Sequence, residues 1–166
     1  VSSYIDTKES KLILIGQTGI LGKSFNLDRN DRLFLNCHPG KLPEFRGIDS
    51  FKWATLEKDF NAFESTIHIV RDKVDSGEKI DSLKYDINNI SWFFGDRQLL
   101  IICGKHLAFY IKSLEKKEGV VINKVLKNSN SQKCKFLRYK MNLLNEIKAF
   151  IIFKKYKKSI KQNSLN

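Results

Sequence analysis

The apolar positions of this chain fall into short blocks that stop at glycine, proline or acidic turns. Residues 11–16, Lys-Leu-Ile-Leu-Ile-Gly, form a β-branched apolar run closed by glycine. Such a run predicts a strand buried on both faces. Residues 33–36 predict a second buried strand. A loop over 37–47 leads into a helix from about 48 to 59, where Ile48, Phe51 and Ala54 recur at helical spacing. Residues 63–70 alternate in the strand manner, and 78–86 predict a weaker strand suited to an antiparallel edge. Residues 98–114 carry Leu99, Ile102, Cys103, His106 and Tyr110 along one helical face. Further on, 120–125 predict a strand, 128–131 a loop and 141–153 a second long helix. Residues 1–10 read as a polar connector. Strands alternating with helices predict an α/β domain with a mostly parallel sheet. In open sheets of that kind, sites form at the carboxyl ends of strands.

Two strand exits carry the candidate chemistry. The first is Asn36-Cys37-His38-Pro39-Gly40-Lys41-Leu42-Pro43-Glu44-Phe45-Arg46-Gly47, which holds both prolines of the chain. Pro39 disfavours helical geometry at His38, so residues 36–38 should be extended. Residues i and i+2 of an extended segment point to one side. Asn36 and His38 can therefore converge, with Cys37 facing away. An amide donor beside an imidazole suits a developing oxyanion, and the imidazole can also shuttle a proton. The second exit is Asp72-Lys73-Val74-Asp75-Ser76-Gly77. Asp75 is placed to hold the imidazole or a bridging water. No Ser, Cys or Lys stands out as a covalent nucleophile, so direct transfer between two bound substrates is the natural mechanism. Each motif alone is more often structural: Asn-x-His as a strand end, Asp-Ser-Gly as a turn. Mid-strand His68 and helix-borne His106 read as structural histidines, and Trp53 and Trp92 as packing residues.

Charge changes the picture only for the second half. The net charge of +12 resembles a nucleic-acid signal until it is located. Residues 1–90 carry 13 basic and 14 acidic side chains, a net of −1; residues 91–166 carry 17 and 4, a net of +13. The motif-bearing half is neutral, and charge of this kind bears on partners rather than fold. No apolar run reaches the ~18 residues that span a bilayer. Cys37, Cys103 and Cys134 are an odd number without metal spacing, which favours reduced thiols and a cytoplasmic setting. The chain begins with Val1, so a fragment or a processed product is expected.

Taken together and in order, the motifs resemble the formyltransferase family that uses 10-formyltetrahydrofolate. The family pattern is Asn-x-His-x-x-x-Leu-Pro, an aromatic-x-Gly step, and an Asp-x-Gly turn some thirty-odd residues later. Here these are Asn36 to Pro43, Phe45-Arg46-Gly47 and Asp75-Ser76-Gly77. Thr66-Ile67-His68-Ile69-Val70 is similar to the strand before the Asp loop. Leu14-Ile15-Gly16-Gln17-Thr18-Gly19-Ile20-Leu21 is similar to the strand and loop that wrap the folate pteridine. The resemblance covers roughly residues 10–86. It implies a Rossmann-like formyltransferase fold, mostly parallel sheet flanked by helices, entered after its first strands. It also implies catalytic roles for Asn36, His38 and Asp75. Asn36 and His38 would stabilise the oxyanion, and Asp75 would position His38 and water for proton transfer. Thr18, Gly19, Ile20, Leu21, Val70, Arg71 and Asp72 would line the pteridine pocket. Pro43, Gly47 and Gly77 would shape the loops. 10-Formyltetrahydrofolate is the implied co-substrate, and no metal is needed.

Two departures stand out. Lys41 replaces the usual Leu, and the reading favoured for it is a solvated side chain. The family's longer N-terminal portion, which helps bind the acceptor, precedes the point where this chain enters; without it a sheet edge would be unpaired. On this reading 11–117 form the C-terminal part of the catalytic domain, and 118–166 a basic, partly helical extension. Arg46 could meet a phosphate or the folate glutamate tail.

Three acceptors fit the resemblance: an amino sugar on a nucleotide carrier, glycinamide ribonucleotide, and an aminoacyl-tRNA. Clustered lysines in the tail provide non-specific phosphate affinity, but no second β-barrel module follows the motif domain. The Lys133–Tyr139 run, with Phe136 and Arg138, is similar to the segment after the core in enzymes acting on sugars and other small amines. A small-molecule amine is therefore preferred, the amino sugar ahead of glycinamide ribonucleotide. The alternatives are a methionyl-tRNA formyltransferase-like enzyme, with nucleic acid reached through the basic tail, and a truncated binding protein that kept the fold. A homodimer is the expected assembly if one forms.

Overall fold

The computed structural model describes residues 11–16, 21, 25, 27, 32–115 and 137–163. Among them a four-stranded sheet runs in the order β1 (Leu12–Ile15), β2 (Leu33–His38), β4 (Glu64–Ile69), β5 (Lys79–Lys84). Strands β1 and β2 are parallel, with Ile15 opposite Asn36. Strands β2–β4 and β4–β5 are antiparallel. The α/β class and the antiparallel edge strand are as expected. The described sheet is mixed, however: β4 runs against β2, and the turn after β4 folds straight back into β5 without a crossover helix. The predicted strand at 120–125 and loop at 128–131 lie outside the described residues.

Helix α1 (Ser50–Leu56) is shorter than expected. Asp49 takes a left-handed conformation at φ 58°, which delays the helix start. Helix α2 (Gly95–Glu115) packs on β2 and β4. Helix α3 (Leu143–Asn163) packs on α1 and runs ten residues beyond the predicted end. A two-residue ladder joins β3 (Arg46–Gly47) to β6 (Leu137–Arg138), Arg46 opposite Leu137.

Two apolar clusters hold these layers. One joins Leu35, Cys37, Ile67 and Ile69 of the sheet to Cys103 of α2. The other surrounds Phe51 of α1, with Trp92 at 5.4 Å and Phe153 of α3 at 6.3 Å between ring centroids, both edge-on. Trp92 is buried there, as a packing residue. Strand β1 was expected to be buried on both faces, yet Leu14 is 47% exposed. It is an edge strand of the described sheet.

All six residues of β4 are buried, so its alternation separates two packed faces rather than core from solvent. Ser65, Ile67 and Ile69 meet the α2 side. There His106 Nδ1 lies 2.8 Å from Ser65 Oγ, and its Nε2 lies 3.3 Å from Asp81. This buried polar chain satisfies His106 between sheet and helix, which agrees with its structural reading. Cys37 faces the same way, with Sγ 3.7 Å from His106 Nδ1. Cys37 and Cys103 are free and buried. The hydrogen bond with Cys37, then burial, pushes the Cys103 thiol up, so Cys103 stays a thiol at neutral pH.

Candidate active site

The opposite face of the sheet carries the candidate site. Asn36 sits directly across the β2–β4 pair from His68, and His38 from Thr66. All four side chains therefore share one face. A register shift falls between Ile67 and His68. Such irregularities re-aim side chains beside functional clefts, and His68 is brought to one here.

Asp75 reaches this face from the turn after β4, in a left-handed conformation at φ 45°. Its carboxylate meets three groups in one place. Oδ2 lies 3.2 Å from His38 Nδ1 and accepts a 2.9 Å hydrogen bond from the Gly47 N–H. Oδ1 lies 3.6 Å from His68 Nε2. The Asn36 amide lies 3.3 Å from the same His68 nitrogen.

Proton positions follow from these partners. His68 Nδ1 is 2.9 Å from the Ile69 carbonyl, which can only accept, so Nδ1 carries the hydrogen. In the neutral ring Nε2 is then an acceptor, satisfied by the Asn36 amide. That leaves Asn36 one further N–H to offer a ligand. Burial lowers the His68 pKa below the ordinary histidine value, opposed mainly by the Asp75 charge. His38 differs. Its Nε2 is 2.7 Å from the Phe45 carbonyl and 2.9 Å from Ser50 Oγ, so Nε2 carries a hydrogen. Its Nδ1 faces the Asp75 carboxylate at 3.2 Å.

The cleft on this face has a volume of about 130 Å³. Ile15, Leu21, Leu27 and Val70 give it an apolar wall, and Asn36, His68 and Asp75 a polar end. Such a wall suits a planar heteroaromatic ring with a carbonyl at the polar end, which fits a formyl-folate in kind. Of the residues expected around a pteridine, Leu21, Val70, Arg71 and Asp72 do line the cleft. Thr18, Gly19 and Ile20 lie outside the described residues. Arg71 is engaged with Glu78, 3.1 Å from Nε to Oε2. His38 does not line the cleft; it stands behind Asp75, 3% exposed.

The loop residues are accounted for by close approaches. Gly47 sits at φ 95°, and a Cβ there would lie 2.2 Å from the Arg138 carbonyl oxygen. Pro43 follows a cis peptide bond. Arg46 is buried, and its guanidinium donates to the Val74 carbonyl from both Nε, at 2.9 Å, and an Nη. It ties the Asn-x-His loop to the Asp loop, a structural task next to which a folate-tail contact is not needed. Lys41 pairs with Glu44 at 3.8 Å and is partly exposed. Two residues of this site escaped the sequence reading. A lone mid-strand histidine such as His68 carries no loop signal and reads as structural, and Ser50 has no motif around it. The strand pairing of Asn36 with His68 is the signal that identifies the first.

The His68 environment gives a testable pH effect. A buried neutral ring with a lowered pKa stabilises the fold fully above about pH 6.5, the unfolded value. Below that the unfolded chain binds the extra proton, and stability falls until the folded ring also protonates. Thermal melts from pH 7.5 to 5 should show an acid-side loss in the wild type that shrinks in His68→Gln. An unchanged acid-side slope in that variant would refute the assignment.

Comparison with known proteins places this geometry. The structure is similar to phosphoribosylglycinamide formyltransferase from Campylobacter jejuni, with a TM-score of 0.53 and 20% identity over 68% of this chain and 59% of that one. It is also similar to the formyltransferase PseJ from Anoxybacillus kamchatkensis, solved with UDP-4,6-dideoxy-4-formamido-L-AltNAc and tetrahydrofolate. There the TM-score is 0.53 and identity 18%, over 89% of this chain and 71% of that one. HypX from Aquifex aeolicus in complex with tetrahydrofolic acid matches at a TM-score of 0.55 and 13% identity, over 89% of this chain and 27% of that one. At these identities the likeness concerns the fold. The chain spans 59% of the length of the Campylobacter protein. In sequence, the family model described as formyl transferase matches residues 4–89. That span exceeds half of the chain and contains both strand exits, Asn36 to Gly47 and Asp72 to Gly77: the chain belongs to the formyl transferase family.

Proposed function

We propose that this site transfers a formyl group from 10-formyltetrahydrofolate to the primary amine of a small molecule. One observation carries the reading: Asn36, His38 and Asp75 meet within hydrogen-bond or ion-pair reach of a common cluster at the end of β2. Asn36 keeps one amide N–H for the oxygen of the formyl carbon as it becomes tetrahedral, where a fixed donor lowers the barrier most. The bond between amine nitrogen and formyl carbon forms, and the bond from that carbon to the folate nitrogen breaks. The amine sheds one proton and the folate nitrogen gains one. Asp75, with His38 held against it, is the group placed to take that proton and return it, directly or through a water. For His38 to donate to the oxygen itself, Nε2 must first leave the Phe45 carbonyl.

The acceptor we favour is an amino sugar on a nucleotide carrier, with glycinamide ribonucleotide next. The folds similar to this one include a UDP-sugar-bound formyltransferase, which supports that order. In this proposal residues 11–117 supply the catalytic part and 118–166 its basic extension, in a cytoplasmic protein. The test is incubation of the protein with 10-formyltetrahydrofolate and a panel of amines, reading tetrahydrofolate and N-formyl product by mass spectrometry. Formylation of a small amine is the expected result. Product from no amine in the panel would overturn the proposal, and product from aminoacyl-tRNA alone would overturn the choice of acceptor.

A further inference from the structure

His38 acts on Asp75 from behind the cleft, buried at 3% exposure. The orientation of its ring depends on what meets Nε2, the nitrogen turned away from Asp75. Two acceptors meet it: the Phe45 carbonyl at 2.7 Å and Ser50 Oγ at 2.9 Å. The carbonyl belongs to the loop that His38 itself begins. Ser50 comes from a separate element, as the first residue of α1, and is 4% exposed.

An imidazole can occupy the same space turned by half about its Cβ–Cγ bond. Carbons then stand where the nitrogens stood. His38 would lose Asp75 on one side and both acceptors on the other. The two orientations are nearly the same in shape, so hydrogen-bond partners choose between them. Ser50 is tied to the other half of the pair as well. Its hydroxyl donates to the Gly47 carbonyl at 3.3 Å, and the Gly47 N–H donates to Asp75 Oδ2 at 2.9 Å. Contacts thus close a ring from Ser50 to His38, to Asp75, to Gly47 and back. A serine at a helix start ordinarily caps backbone N–H groups. Here Asp49 holds the cap position, and the Ser50 hydroxyl is turned to His38. Gly40 keeps that place clear: a Cβ there would lie 2.6 Å from Ser50 Cβ and 3.1 Å from His38 Nε2.

We propose that Ser50 is a positioning residue for formyl transfer: it holds the His38 ring in the orientation that presents Nδ1 to Asp75. Ser50 does not line the catalytic cleft, so it acts through His38. Asp75 takes the proton that the amine sheds and returns it to the folate nitrogen, and a ring fixed 3.2 Å away keeps the carboxylate aimed through both steps. The effect of Ser50 on rate rests on the formyl-transfer reading; its effect on the ring rests on the geometry alone.

Two measurements on the full chain separate these. The first needs no substrate. In isotope-labelled protein, the ring hydrogen on His38 Nε2 is recognised by magnetic resonance through its loss in His38→Gln, and its exchange with water is followed. Ser50→Ala should speed that exchange at least ~10-fold, while the ring hydrogen of His106, which is also buried, keeps its rate. The second is a double-variant cycle on turnover. Ser50→Ala should lower kcat about tenfold, leave KM for 10-formyltetrahydrofolate unchanged, and cost nothing further in a His38→Ala background. Ser50→Thr, which keeps the hydroxyl, should restore both exchange and kcat. Melting curves accompany each variant, and Ser50→Cys, which keeps the bulk but hydrogen-bonds weakly, serves if the alanine variant melts early. Unchanged His38 exchange in Ser50→Ala would overturn the inference. So would a further loss of about tenfold when Ser50→Ala is added to His38→Ala. No formyl product from the wild type would overturn the transfer reading instead, and the exchange rates would still judge Ser50.

Discussion

Asn36→Ala and His38→Ala each lower turnover by at least ~10²-fold, the usual scale for an oxyanion donor or a proton-transfer group. The two losses have different physical origins. Asn36 lines the cleft and keeps a free N–H, so its removal strips a donor from the reacting oxygen. Its loss also leaves the buried His68 Nε2 without that partner, a modest cost in stability. His38 acts from behind, across 3.2 Å to Asp75. Its removal takes away the imidazole that holds Asp75 and leaves the Gly47 N–H and His68 as its neighbours. Steady-state rates, with melting curves for both variants, make the check. Near-wild-type turnover for both would remove these residues from the mechanism.

Gly77→Ala is the second large effect, and it works through backbone. A Cβ at Gly77 would lie 1.7 Å from the Ile69 carbonyl oxygen and 2.7 Å from its carbon. No rotamer relieves a backbone clash, so β4 or the turn must move. The adjacent Ile69 N–H donates to the Glu78 carbonyl at 3.0 Å, which ties the two segments together. Overpacking of this kind costs about 3 kcal/mol, or a fall of roughly 6–12 °C in a chain of this size. The Ile69 carbonyl also accepts from His68 Nδ1, so the His68–Asn36 contact is disturbed as well. A thermal melt and a formyl-transfer assay on Gly77→Ala should both report losses. A melting temperature within about 2 °C of the wild type would show that the turn relaxes freely.

The parts of this architecture that were legible in the sequence are those set by local pattern. Leu33-Phe34-Leu35 marks a buried strand, and Pro39 keeps 36–38 extended, which is why Asn36 and His38 share a face and Cys37 does not. The Asp75 turn was legible through its Gly77. The helix at 95–115 showed in its apolar stripe. What was not legible depends on distant partners. Antiparallel pairing of β2 with β4 is a matter of topology, and alternation within 63–70 cannot reveal that both faces are packed. The displaced register at His68 has no local marker either. The end of α3 was missed for a different reason. Ala149, Phe153, Tyr156 and Ile160 continue one core-facing row at spacings of four, three and four, its last two members partly buried, but the lysines between them masked the stripe.

The short ladder between Arg46–Gly47 and Leu137–Arg138 has a bearing on how the protein can be cut. The family match ends at residue 89, and a fragment trimmed to it would contain every residue proposed for catalysis. It would lack the Arg138 carbonyl that takes the Ile48 N–H at 3.1 Å and the Met141 N–H that binds Asp49 at 2.9 Å. Those contacts hold the Gly47 corner, and the Gly47 N–H holds Asp75. The carboxylate is thus aimed by a segment more than sixty residues further along the chain. A piece that keeps the site in register must therefore extend beyond Met141, well past the boundary that the family alone would draw.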